Sequence, residues 1–226
     1  MQRGVVNQLS STTDTTPPEV VDNARQQLSA DIRATLGDAV LDVYVKPGDD
    51  IWVRVRTAAW LEIHQKLHDS LGFDYFCFLS AIDWMPSPFG RGEDDPTEPP
   101  PVRDTTIRSG YAGGDTRMQV FTRLVSSKTR LGVTIKADVA DDELSVESIA
   151  NVFAGANWHE REAHEMFGID FVGHPDLRNI YLPIDFEGYP LRKDFPLLAR
   201  MVKPWPGIVD VEALPVGTAS DEEATA

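Results

Sequence analysis

Cysteine is almost absent from the sequence, with Cys77 as its single representative among 226 residues. One thiol cannot form a disulfide within the chain, and an iron–sulfur cluster is normally held by four cysteines. The sequence therefore excludes an internal disulfide and cannot hold a cluster in the usual way. Cys77 lies in the apolar run 73–79, where we expect a small buried core residue and not a reactive thiol.

Basic residues are few compared with acidic ones. The chain has 21 Lys and Arg against 36 Asp and Glu, which gives a formal net charge of −15. Nucleic-acid binding needs clustered Lys and Arg that contact phosphates, and here these residues are scattered. No nucleic-acid partner is expected. The acidity is interpreted as a solvated surface, with a cationic partner as the alternative.

Long hydrophobic runs are also missing. No segment approaches the roughly 18 to 20 consecutive apolar residues of a membrane-spanning helix. The first twenty residues resemble neither a secretory signal nor a mitochondrial presequence. We therefore expect a cytoplasmic bacterial or archaeal protein, whose contact with a membrane is made only through other proteins.

The periodicity of the apolar residues predicts a series of helices and strands between two unstructured ends. Residues 1–18 are predicted to form a flexible N-terminal arm, 19–172 an α+β globular domain, and 173–226 an extended Pro/Gly-rich tail that binds a partner. The predicted elements are a helix over 20–36, a hairpin of strands 40–46 and 51–56, a helix over 60–71, strands 73–82, 118–125 and 131–139, and helices over 141–153 and 158–167. Hairpins outnumber crossovers, which predicts a mixed, mainly antiparallel sheet with helices on one side.

An acidic, proline-rich insert over 86–115 interrupts this order. It is longer than the loops that compact domains normally carry. Two interpretations are open: a disordered bulge, or an arm that contacts a partner.

The densest pattern of charged, aromatic, proline and glycine residues covers 158–197. Its first part is predicted to be a helix with Asn157 as N-cap, Glu160 completing a capping box and Gly168 ending the helix in a left-handed conformation. Glu162 shares a helix stripe with apolar residues. Because a buried, unpaired carboxylate is costly, we expect Arg161 or a basic group of another chain to neutralise it.

Beyond Gly168, prolines and glycines recur every few residues and alternate with large apolar side chains. Prolines at this density forbid a long helix and disfavour a central strand. An extended segment with so many apolar groups needs a surface to lie on, and a chain of this length has little of its own to offer. The tail is therefore predicted to lie on a partner protein.

Several fixed spacings in this region carry a resemblance to a known family. They are Glu160-Arg161-Glu162, Glu165, Met166-Phe167-Gly168, His174, Arg178 and Pro190-Leu191-Arg192-Lys193-Asp194-Phe195-Pro196-Leu197. Together they resemble the signature of the respiratory complex I 30 kDa subunit family, to which the C subunit of bacterial NADH-quinone oxidoreductase belongs. Two features depart from the family pattern: the insert at 86–101, and Tyr189-Pro190 where the family often has His-Pro.

The resemblance implies a non-catalytic structural and assembly subunit in the peripheral arm of a proton-pumping NADH:quinone oxidoreductase, on the cytoplasmic side of the bacterial membrane. Its implied partners are the quinone-site D (49 kDa-like) subunit and the B subunit. No cofactor is expected in this chain, because FMN, iron–sulfur clusters and quinone belong to partner subunits. The predicted interface residues are Glu160, Arg161, Glu162, Glu165, His174, Arg178, Arg192, Lys193, Asp194, Phe195 and Leu197.

Two alternatives remain at this stage. One is the equivalent subunit of a related membrane-bound hydrogenase or ferredoxin-dependent complex. The other is a stand-alone zinc hydrolase, which is disfavoured because His159 and His164 are five residues apart and point to different faces of the helix. His64 and His68 are four apart, but no third ligand is obvious near them. The acidic residues of the last helix are interpreted as an ion-pair network in preference to acid–base catalysts.

Overall fold

The computed structural model describes residues 22–87, 102 and 104–195. The helices are α1 (Asn23–Leu36), α2 (Trp60–Asp69) and α3 (Ala156–Phe167), and the strands are β1 (Val40–Tyr44), β2 (Ile51–Val55), β3 (Tyr75–Asp83), β4 (Met118–Val125), β5 (Gly132–Val139), β6 (Ser145–Glu147) and β7 (Asp170–Val172). The predicted arm over 1–18 and the tail beyond 195 lie outside the described residues.

Strands β1 to β5 form one sheet in the order β1-β2-β5-β4-β3. Strands β2 and β5 run parallel, and the other three neighbouring pairs run antiparallel. The predicted hairpin of the first two strands is present, with a turn at 47–49. The mixed, mainly antiparallel sheet expected from the sequence is thus confirmed.

Alternation along the strands gives this sheet one strongly apolar face. Ile51, Val53 and Val55 of β2 are fully buried and pair with Val133, Ile135 and Ala137 of β5. The three helices bury their apolar side chains in the same hydrophobic core. Their contributions include Ile32, Leu36, Trp60, Ile63, Leu67, Ala163 and Phe167. Helices and sheet are therefore held together mainly by the hydrophobic effect.

The prediction of a helix over 141–153 is wrong. The chain instead forms the short strand β6, which pairs in parallel with β7, and then turns at Ile149. Val146, Ile149 and Phe153 are buried, which also fits the helical spacing on which the prediction was based. A strand forms here because β7, which was not predicted, supplies its hydrogen-bond partners. β7 follows α3 in the sequence, so the local pattern of residues 141–153 does not indicate this pairing.

Helix α3 begins earlier than predicted and without the expected capping box. Its N-cap is Gly155, and no side chain caps the first turn, so Asn157 already lies inside the helix. The end of the helix is as predicted: Gly168 has φ 72° and donates its N–H to the carbonyl of His164 at 2.8 Å. Glu160 is absent from the cap because it is buried in another contact, described below.

Cys77 does not lie in the core as predicted, but is half-buried. The pairing of β3 with β4 shifts register between Phe76 and Phe78, which places Cys77 at an irregularity of the strand. Its sulfur lies 3.1 Å from the guanidinium of Arg123, on the face of the sheet opposite the helices.

Among the described residues, no helix is long and apolar enough to cross a bilayer.

The small β6–β7 sheet offers a matched test of what burial contributes. Val146→Ala removes buried methyl groups from β6 and should lower the free energy of unfolding by about 2 kcal/mol, whereas Val172→Ala, in the partner strand and 56% exposed, should change it by less than about 0.5 kcal/mol. Urea unfolding of the two variants measures both values. Equal effects would contradict the placement of β6 in the core.

Candidate functional site

Residues 173–195, called here the anchored segment, follow β7 and contain neither helix nor strand. A segment without regular structure still has to pair its backbone N–H and C=O groups wherever water is excluded. Over residues 178–182 the partners are side chains of α3, and elsewhere they are backbone groups and other side chains. The sequence-predicted interface residues lie at this junction, apart from Leu197, which lies outside the described residues.

Glu165 binds the backbone of the anchored segment directly. Its buried carboxylate accepts hydrogen bonds from the N–H groups of Ile180 at 2.9 Å and Tyr181 at 3.0 Å, and a further one from Leu182. Burial alone would raise the pKa of Glu165, yet these N–H donors, together with nearby Arg161, hold the pKa below its usual value. The carboxylate therefore remains charged while it organises three consecutive peptide groups.

Arg161, one helical turn earlier, binds the same stretch from its carbonyl side. Its guanidinium donates to the carbonyl of Arg178 at 2.8 Å and to that of Asn179 at 3.2 Å. The Arg178 side chain turns outward and pairs with Asp176 at 2.7 Å. Helix α3 thus supplies an acceptor and a donor, four residues apart, to one stretch of irregular backbone.

Glu160 lies in the interior, fully buried between α3 and the end of β6. Its carboxyl group accepts hydrogen bonds from the hydroxyl of Ser148 at 2.5 Å and from the N–H of Ile149 at 2.7 Å. Burial raises the pKa of Glu160 to about 7, although both hydrogen bonds act in the opposite direction. This contact explains why Glu160 is not available for a capping box.

His174 lies beside Glu160, with its Nε2 atom 3.9 Å from a carboxyl oxygen. Its Nδ1 accepts a hydrogen bond from the N–H of Asp176 at 2.9 Å, so Nε2 carries the ring proton and donates to the carbonyl of Asn157 at 3.1 Å. A neutral imidazole with both nitrogens occupied does not form an ion pair. His174 therefore positions the start of the anchored segment against α3.

The far end of the anchored segment returns to the C-terminus of α3. Arg192 donates from Nε to the carbonyl of Phe167 at 2.6 Å, and its guanidinium lies 4.2 Å from the centre of the Tyr189 ring. A Cβ on Gly168 would overlap the guanidinium of Arg192 and lie 2.6 Å from the ring of Tyr189. Gly168 is thus needed both for its left-handed backbone and for this close approach.

Asp194 and Lys193 are tied to the central sheet through two residues that were not predicted from the sequence, Asp83 and Arg117. Arg117 bridges Asp83 at 2.7 Å and Asp194 at 2.9 Å, while the N–H of Lys193 donates to Asp83 at 2.8 Å. Burial raises the pKa of Asp83, but Arg117 and two backbone N–H groups outweigh it and leave the pKa lowered. The only indication of this contact in the sequence was the position of Asp83, an acidic residue that directly follows the apolar run 73–82.

The acidic residues of α3 do not form the ion-pair network expected from the sequence. Glu160 and Glu165 are bound by a hydroxyl and by backbone N–H groups. The carboxylate of Glu162, half-buried on the same helix, has no hydrogen bond or ion pair to any described residue.

Phe195 stacks on Phe186 with ring centres 6.0 Å apart. The role of these residues at an interface stays a prediction.

Large apolar side chains of the anchored segment point away from the protein. Ile184 is 99% exposed and Tyr181 is 63% exposed, and on the neighbouring helix Trp158 is 68% exposed. Leu191, Phe186 and Tyr189 are also among the exposed residues. The same segment that pairs its backbone inward therefore presents an apolar surface outward.

The histidines make contacts within the protein. His159 and His164 each bond a backbone carbonyl through Nδ1, at 3.0 Å and 2.9 Å. His64 is fully buried and bonds the carbonyl of Trp60, and burial lowers the pKa of its imidazole to about 4. His68 contacts Asp69 at 2.7 Å. Within the described ranges, no group of three or more His, Cys, Asp or Glu side chains is arranged to bind a metal ion.

Removing one acceptor oxygen from Glu165 tests its hold on the backbone. Glu165→Gln leaves one oxygen and places an amide N–H₂ against N–H donors, so the amides of Ile180, Tyr181 and Leu182 should exchange with deuterium about tenfold faster or more. The matched control is Glu162→Gln on the same helix, which should leave these rates unchanged. Unchanged exchange in both variants would contradict the assignment.

The raised pKa of Glu160 predicts a pH-dependent stability. The carboxyl group titrates near 4.5 when unfolded and near 7 when folded, so its contribution is fully present below about pH 4.5 and is lost as the pH rises through 7. Relative to Glu160→Gln, the free energy of unfolding of the wild type should fall by on the order of 2 kcal/mol between about pH 5 and pH 8. Denaturant unfolding across this range measures it, and a constant difference would refute it.

Sequence comparison with known proteins identifies relatives of this chain. Residues 53–201 match the family described as respiratory-chain NADH dehydrogenase, 30 Kd subunit. The C subunit of the NADH-quinone oxidoreductase of Roseiflexus sp. is 46% identical over 173 residues, which cover 76% of this chain and 83% of that protein. The C/D subunit of the NADH-quinone oxidoreductase of Cronobacter sakazakii is 41% identical over 100 residues, covering 44% of this chain and 16% of that protein.

A solved structure shares the fold. A chain of the membrane-bound sulfane sulfur reductase, an archaeal respiratory membrane complex, superposes with a TM-score of 0.57 and 18% identity over 78% of this chain and 88% of that one. The family match covers most of the chain, including all of α3 and the anchored segment. The protein belongs to the family of the 30 kDa subunit of respiratory-chain NADH dehydrogenase.

Proposed function

We propose that this chain is a non-catalytic structural subunit in the peripheral arm of a proton-pumping NADH:quinone oxidoreductase. It docks through the anchored segment and α3 on the quinone-site D subunit, close to the B subunit. The observation that carries the proposal is the two-sided character of the anchored segment: its backbone is bound by Arg161 and Glu165, while Ile184 and Tyr181 remain in solvent.

A segment held in this way is suited to binding a partner. Association normally loses affinity when loops and side chains must be ordered at the interface. Here the hydrogen bonds from α3 and from Asp83 order the backbone beforehand. The exposed apolar side chains then add contact area, and the carboxylate of Glu162, which has no ionic partner in the described part of the chain, can pair with a basic group on a partner.

A D subunit as the partner is supported by a relative. The Cronobacter sakazakii protein is named as a C/D subunit, and this chain covers only 16% of its length. A single polypeptide named for both subunits favours a direct contact between the C and D parts. We extend this contact to the present chain and assign it to the surface around Ile184.

Electron transfer is assigned to the partner subunits. A chain with one cysteine lacks the four thiolates that usually hold an iron–sulfur cluster. As the family resemblance implies, FMN, the clusters and quinone belong to neighbouring subunits, whose arrangement this chain stabilises. The chain lies on the cytoplasmic side of the membrane and reaches it only through the complex.

A second candidate is the equivalent subunit of another respiratory complex, because the fold also occurs in the archaeal sulfane sulfur reductase. The relative at 46% identity is named for NADH-quinone oxidoreductase, which favours the first candidate. Affinity purification from native membranes distinguishes them: co-purifying NADH-binding flavoprotein subunits support the proposal. Their absence, with other electron-input subunits in their place, would support the second candidate.

A charge placed on the exposed apolar surface should weaken assembly. Ile184→Asp alters a side chain that makes little contact within the protein, so the fold should be unaffected while the complex in native gels falls about tenfold. Leu41→Asp introduces the same charge at an exposed leucine of β1, at the sheet edge opposite the strand β3, and should leave assembly normal. Normal abundance of the Ile184→Asp complex with slower turnover would contradict a structural role.

A further inference from the structure

A second feature of the protein lies on the face of the sheet opposite the helices. There the described end of the insert folds back, and Tyr111 stacks on Tyr44 at 4.4 Å and meets the edge of Trp52 at 5.6 Å. Between this end of the insert and the strands is a cavity of about 610 Å³. Half of the residues that line it are aromatic, Trp84 and Phe121 among them. This size and composition are typical of sites for small organic ligands.

One cation is buried in the wall of this cavity. Lys136, in β5, is only 2% exposed and lines the cavity. Among the described residues its ammonium group has a single hydrogen bond, to the side-chain oxygen of Gln119 at 3.2 Å. It also lies 5.7 Å from the centre of the Trp84 ring. An ammonium group has three N–H donors, so two remain without an acceptor among these residues.

The nearby carboxylates are engaged elsewhere. Asp138 accepts from Arg54 at 3.0 Å and from the amide of Gln119 at 2.5 Å. Arg54 also pairs with Asp115 at 2.9 Å. Asp42, the other acid whose charge acts on Lys136, is exposed. Lys136 thus has no carboxylate in contact with it among the described residues, although it is almost completely buried.

Gln119 cannot turn to serve Lys136 better. Its oxygen accepts from the indole N–H of Trp84 at 2.7 Å as well as from Lys136, and its amide nitrogen donates to Asp138 and to the carbonyl of Gly113 at 3.2 Å. All of its hydrogen-bonding groups are therefore occupied. This network fixes the orientation of Trp84. It leaves the Lys136 ammonium group with one hydrogen bond, to a neutral amide oxygen.

We propose that this cavity binds a small planar aromatic molecule carrying one anionic group, such as a carboxylate or sulfonate. The anion pairs with the Lys136 ammonium, and the rings lie among Trp52, Trp84 and Tyr111. A buried cation is stable when it is paired and hydrogen-bonded, and the ligand supplies the partner that the protein lacks within its described residues. This site is separate from the anchored segment and does not depend on the function proposed above.

The charge state of Lys136 is consistent with this site. Burial, together with the neighbouring Arg54, lowers the pKa of Lys136 to about 8, while Asp138 and Asp42 act in the opposite direction. The ammonium form therefore predominates at neutral pH and is lost as the pH rises through 8. Affinity for an anion should fall over the same range.

Two dyes with the same rings test the proposal. The probes are 1-anilinonaphthalene-8-sulfonate and N-phenyl-1-naphthylamine, which lacks the sulfonate, each titrated by fluorescence into the full chain. The wild type should bind the sulfonate at one site and roughly tenfold more tightly than the neutral dye. Lys136→Met should abolish this difference and retain binding of the neutral dye.

The matched control is Lys128→Met, which removes an exposed lysine from the turn between β4 and β5 and should leave both affinities unchanged. Tyr111→Ala, at a position that is 45% exposed and outside the core, should weaken both dyes without unfolding the protein. This variant keeps the test decisive if Lys136→Met does not fold. Sulfonate binding that is not saturable, that survives both substitutions, or that falls equally with Lys128→Met would overturn the proposal.

Discussion

The structure around α3 depends on one requirement: an irregular chain segment must find partners for its backbone polar groups. Residues 173–195 form no helix or strand of their own that would provide them. Arg161 and Glu165 do so from one face of α3, and Asp83 does so at the far end. Charged side chains are strong hydrogen-bonding partners for peptide groups, and these three set the path of the segment.

The distribution of polar and apolar groups follows from this requirement. Arg161 and Glu165 are bound within the protein, while large apolar side chains of the anchored segment remain in solvent, with Ile184 almost completely exposed. A loop on the protein surface normally carries polar side chains, and large apolar side chains are normally buried. The combination of an ordered backbone and an exposed apolar surface accords with membership in a family of respiratory-complex subunits.

Much of the fold was predictable, because hydrophobic periodicity and turn residues act locally. The β1–β2 hairpin, the central strands and the glycine at the end of α3 belong to this class. Long-range contacts were not predictable from local patterns. β6 was mistaken for a helix because its partner β7 lies beyond α3, and Glu160 was assigned to a cap because its contact with Ser148 arises only in the folded protein. The acids of α3 were expected to form an ion-pair network, but Glu160 and Glu165 are bound mostly by backbone N–H groups.

The contact made by Glu165 has a consequence for how this surface can diverge among relatives. Its carboxylate accepts from the peptide N–H groups of positions 180–182, which every residue except proline provides. Substitutions at these positions can change the shape of the exposed surface while the backbone conformation stays the same. A lineage can thus adapt this patch to a changing neighbour without rebuilding the support beneath it, provided that the glutamate is retained.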